Sequence, residues 1–168
     1  MCYGNPTKET VEDVFQYAKE NKYTNNGEIF SVDYMHLLAK KFLPNKIEIY
    51  SGKLDDNKIV EFLHSKGLIL VPYDCDRDHR PCTKLGHKAH WAVISGMIET
   101  DDGIHVFAKH GKSLNTAIWS LQELARSNEQ LNEFAPDRKN SDLVYVLPDG
   151  GLNGPNGLCS RAVLIYPQ

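Results

Sequence analysis

The sequence predicts a single α+β domain over residues 1–168, with helices leading and a mainly antiparallel sheet following. Three patterns carry that prediction. Two early stretches repeat apolar residues every three or four positions, the later runs are short and β-branched, and Asp102–Gly103 carries a hairpin signal. No repeat or linker divides the chain, and 168 residues suit one core.

Residues 10–21 place Val11, Val14, Phe15 and Ala18 at helical spacing, with Glu12 and Asp13 in the first turn where the helix dipole favours acids. After a turn at Asn25, Asn26 and Gly27, Ser31 is the expected cap of a second helix. That helix carries Val32, Met35, Leu38 and Phe42 and is stopped by Pro44. Residues 46–51 alternate as a strand, and Asp55 opens a short helix bearing Ile59, Phe62 and Leu63. The run GLILVPY at residues 67–73 reads as a buried strand. Residues 91–97 and 104–108 form the predicted hairpin, residues 120–126 a helix capped by Ser120, and residues 143–147 and 162–166 two further strands. The glycine-rich stretch 148–157 matches neither a phosphate loop nor a dinucleotide fingerprint, so a turn-forming role is expected.

Composition excludes some partners. A net charge of −3 offers no basic field to gather nucleic acid or anionic membrane. No window supplies the apolar length of a membrane span, and the start, MCYGNPTKET, lacks a signal-peptide pattern, so a cytoplasmic protein is expected. There the four cysteines, Cys2, Cys75, Cys82 and Cys159, are expected to be free thiols.

Chemistry concentrates in residues 74–90, which hold Asp74, Cys75, Asp76, Asp78, His79, Cys82, His87 and His90. A zinc site is one reading of this cluster, but the gaps contain no Cys-x-x-Cys knuckle, and the expectation is that no metal or other cofactor is bound. The second reading is a thiol peptidase, which needs a thiolate, an imidazole to exchange its proton, and a group to orient the ring. His90, at the head of a strand with Trp91 expected to shield it, suits the imidazole role; the alternative is a histidine that merely satisfies a core hydrogen bond. The orienting group is sought among His105, Lys109, His110, Ser113 and Asn115, with His110 and Asn115 able to accept from an imidazole N–H. None of the cysteines precedes a helix N-terminus that would activate it, so all four are expected to be inert.

Four segments, NNGEIFSVDYMHLLAKKF, LILVPYDCDRDHRPCTKLGHKAHWAVISG, HGKSLNTAIWSLQELARSNEQL and YVLPDGGLNGPNGLC, together resemble the actin maturation protease family. The resemblance implies a papain-like, bacteriocin-leader-peptidase-like cysteine peptidase that removes the acetylated N-terminal residue of actin. It also implies that His90, in GHKAHWAV, is the catalytic histidine; His110, from the reading of the residues, stands beside it as the candidate orienting group. The family's cysteine lies in a Gly-Pro-x-Cys-Gly-Leu-type segment, which this chain does not contain. The expectation is therefore a truncated chain, inactive alone, whose partner is actin. Two alternatives stand beside it: a non-catalytic protein that binds actin through a retained groove, and a zinc-binding module.

Overall fold

The computed structural model describes residues 8–136 and 142–168. Helices α1 (Lys8–Glu20) and α2 (Val32–Phe42) form where the apolar spacing predicts them. Ser31 caps α2 from extended backbone, its hydroxyl accepting from the Tyr34 N–H at 3.3 Å, and Asp33 and Lys40–Lys41 match the two ends of the dipole. The helix ends at Leu43, whose extended backbone is what Pro44 requires of the residue before it. Then come β1 (Ile47–Ser51), α3 (Asn57–His64), β2 (Leu68–Cys75) and the two-residue β3 (Pro81–Cys82). The hairpin of β4 (Ala89–Thr100) and β5 (Gly103–His110), the edge strand β6 (Ala117–Ser120), α4 (Leu121–Glu129) and β7 (Arg161–Ile165) complete the order.

The sheet runs β1-β7-β2-β4-β5-β6, with β3 paired to β2, and each pairing is antiparallel. The α+β layout with an antiparallel sheet is thus the observed one. Strand alternation sorts side chains between two cores. Ile69, Val71, Tyr73 and Cys75 of β2 and Ala92 and Ile94 of β4 face α3 and α4. Leu68, Leu70, Ala89, Trp91, Val163 and Ile165 face α2 and the loop residues Leu131, Leu152 and Leu158. Both faces are covered, which explains why β2 reads as an unbroken apolar run.

The expected strand at residues 143–147 is not in the sheet. Side chains take over the pairing instead: Asn25 and Asn26 each donate an amide N–H to the Val144 carbonyl at 3.0 Å, and Tyr145 packs edge-on against Phe30 and Phe134. A segment satisfied in this way gains little from joining a ladder. Strand β6 is an element the sequence reading lacks; its four residues carry no turn signal, and Ser120 both ends it and caps α4.

Candidate active site

His90 is the second residue of β4 and lies opposite Tyr73 of β2. Its Nδ1 lies 2.9 Å from the Lys88 carbonyl oxygen, and since a carbonyl only accepts, Nδ1 carries the proton. The neutral ring then keeps its lone pair on Nε2, the atom that can act as base. Trp91 does not shield this ring. Alternation sends the indole to the opposite core, where its Nε1–H donates to the Ile29 carbonyl at 2.8 Å.

The loop leading into β4 is held by Asp74, the penultimate residue of β2, which is fully buried. Its carboxylate accepts from the backbone N–H groups of Lys84 (2.8 Å), Gly86 (2.8 Å) and Lys88 (2.7 Å), and from the Gln130 side-chain amide at 2.8 Å. Gln130 also accepts from the Leu85 N–H through Oε1. Between these anchors Leu85 and Gly86 adopt positive φ, +60° and +101°. The sequence reading placed Asp74 in a reactive loop; the structure makes it the loop's organiser, partnered by a residue 56 positions away, for which no local spacing is a signal.

His110 ends β5 on the same sheet face. It stacks on Trp119 (centroids 5.5 Å apart) and tilts against His79 at 5.6 Å, and its buried Nδ1 has no partner among the described residues. No described hydrogen bond joins it to His90, whose ring is held by the Lys88 carbonyl instead. Burial first, and the neighbouring His79 and His90 after it, push the His110 pKa below the ordinary histidine value. The unfolded chain therefore binds this proton more readily than the folded one, so stability is expected to fall as pH drops below about 6.5. Urea midpoints from about pH 7.5 to 5 should decline less steeply in His110→Gln than in the parent chain; parallel curves would refute this assignment.

Cys75, expected to be inert, is brought to His90: its Sγ lies 3.5 Å from Nδ1. That nitrogen already donates to Lys88, so it cannot take a proton from the thiol. Burial pushes the Cys75 and Cys82 thiols above the ordinary cysteine pKa, and Tyr73, whose phenol is also raised by burial, stays protonated and donates to the His79 carbonyl. Cys159 donates to the Glu129 carbonyl at 3.0 Å and precedes a strand. Cys2 lies outside the described residues.

A groove of about 650 Å³ opens beside His90, walled by Phe30, Tyr145 and Pro136, with Lys88 and Glu28 on its margin. His87 also lines it and pairs with Glu133 at 2.9 Å on the surface. The other orienting candidates lie apart from His90: His105 sits by Thr100 and Asp102 at the far end of the hairpin, Lys109 donates to the Leu114 carbonyl, and Ser113 accepts from Asn115 N–H. Among the described residues no three His, Cys, Asp or Glu side chains converge as metal ligands would.

The chain is similar to known proteins over nearly its whole length. The family described as "Actin maturation protease-like, C-terminal domain" matches residues 1–98. Proteins named actin maturation protease are similar to it in Drosophila melanogaster, at 43% identity over 165 residues, 96% of this chain and 61% of the relative, and in Xenopus tropicalis, at 34% over 190 residues, 94% and 62%. The human protein of that name is 31% identical over 203 residues, 97% of this chain and 57% of its own. The chain thus spans about three fifths of the length of these curated relatives. No solved structure matches it significantly.

Proposed function

The chain belongs to the actin maturation protease family, and on that premise we propose that it supplies the imidazole and the substrate groove of a papain-like cysteine aminopeptidase acting on the acetylated N-terminus of actin in the cytoplasm. The observation that carries this reading is the state of His90: its Nδ1–H is held by a backbone carbonyl, its Nε2 lone pair is left as the base, and a groove of about 650 Å³ opens beside it. In the reaction, Nε2 accepts the proton of a thiol and returns it to the leaving amine.

The thiol belongs, on this reading, to a segment outside these 168 residues. Cys75, Cys82 and Cys159 each occupy a setting that disfavours a thiolate or commits the sulfur to a carbonyl. The 3.5 Å approach of Cys75 to His90 supports a second reading, a self-contained Cys75–His90 pair, against which stand the burial of the thiol and the committed Nδ1.

One experiment separates the two. The purified chain, mixed with an N-acetylated peptide of the actin N-terminus, is expected to bind it, with shifts of His87, His90 and Tyr145 resonances, and to release no acetylated amino acid. Turnover abolished by Cys75→Ala would establish the second reading, and turnover abolished by Cys2→Ala or Cys159→Ala would overturn both. Absence of binding would remove actin as the partner of this groove.

A further inference from the structure

The Lys88 carbonyl that holds His90 is itself held from two sides. It accepts a second hydrogen bond from the Cys75 N–H at 3.1 Å, and the N–H of the same residue, Lys88, donates to the Asp74 carboxylate at 2.7 Å. The carboxylate is fully buried, and its two oxygens take four donors, three of them backbone N–H groups of residues 84–88. Its own backbone is pinned as well, since the Asp74 N–H donates to the Ser127 hydroxyl at 2.9 Å and that hydroxyl donates back to the Asp74 carbonyl at 3.2 Å. A carboxylate fixed this firmly is linked to the imidazole through one residue of backbone, Lys88.

We infer that Asp74 is the positioning residue of His90, acting through the Lys88 backbone to set the ring's tautomer and orientation. The inference rests on the reading of His90 as the base. The physical argument is that of any orienting group. A ring whose Nδ1–H is held by a fixed acceptor presents Nε2 in one direction. Asp74 is thus the remote acidic partner that the segment after β5 does not provide, reached from the preceding strand and through the main chain.

The test uses the 168-residue chain labelled with ¹⁵N and reads its imidazole nitrogens across pH. In the parent protein His90 is expected to be the Nδ1–H tautomer when neutral; an Nε2–H tautomer would overturn the inference outright. In Asp74→Asn the amide presents N–H to a backbone N–H, and His90 is expected to lose its tautomer preference. If that variant keeps a dispersed amide spectrum and an unchanged His90, the inference fails. Should Asp74→Asn not fold, Gln130→Leu removes only one of the four donors and leaves the carboxylate in place. A partial loss of the Nδ1–H preference of His90 supports the inference, and an unchanged tautomer overturns it. None of these readouts requires turnover, so a chain that proves not to act on actin leaves the result standing.

Discussion

His90→Ala is expected to lower kcat/KM toward an N-acetylated actin peptide by about 10³-fold or more, once the thiolate-bearing segment proposed above is present. The effect is large because, on the proposed mechanism, the imidazole has two tasks, removing the thiol proton and protonating the leaving amine. His90, the proposed base, lines the groove, whereas His110 is buried against Trp119 with no described hydrogen bond to His90. His87→Ala is the internal comparison, since His87 lines the same groove one turn of loop earlier but pairs with Glu133 at the surface. It is expected to change kcat/KM by less than about tenfold, mainly in KM. Equal losses in the two variants would remove the distinction between His90 and His87.

Gly86→Ala is expected to destabilise the chain by about 3 kcal/mol, measured by urea unfolding. Two costs combine. The residue has φ +101°, where an L side chain is strained, and its new Cβ would lie 2.5 Å from the Glu133 backbone oxygen and 2.9 Å from Leu152 Cδ1. The Leu152 methyl can turn aside, but the Glu133 carbonyl is held, because its neighbouring N–H groups at Asn132 and Glu133 both donate to the Leu85 carbonyl. The loop must therefore shift, drawing the Gly86 N–H off Asp74 and disturbing the Lys88 carbonyl beneath His90. Gly111→Ala is the control: nothing lies within 4 Å of its added Cβ, and a change within about 0.5 kcal/mol is expected. A loss below about 1 kcal/mol for Gly86→Ala would show that the loop tolerates what its geometry forbids.

The local layer of this protein is legible in its residues. Ser31, Pro44 and the apolar spacing between them delimit α2, Ser120 caps α4, and Asp102–Gly103 turns the β4–β5 hairpin, because each signal acts over three or four residues of its own chain. Where a local signal had a competitor from elsewhere, it lost. Residues 143–147 have strand composition, yet Asn25 and Asn26, more than a hundred positions away, satisfy the Val144 carbonyl and leave the segment outside the sheet.

The candidate site divides along the same line. Sequence by itself determined that a histidine heads a strand behind a glycine-bearing loop, and that Cys75, Cys82 and Cys159 precede no helix N-terminus that would activate them. Tertiary structure alone decided what surrounds that histidine. The register of β2 against β4 put Cys75 3.5 Å from His90, the two-residue alternation of β4 turned Trp91 to the other core, and folding α4 over β2 brought Gln130 to Asp74. The reason is physical: backbone propensity and capping depend on near neighbours in sequence, whereas a buried carboxylate acquires its partners only from whichever donors the packed chain delivers to it.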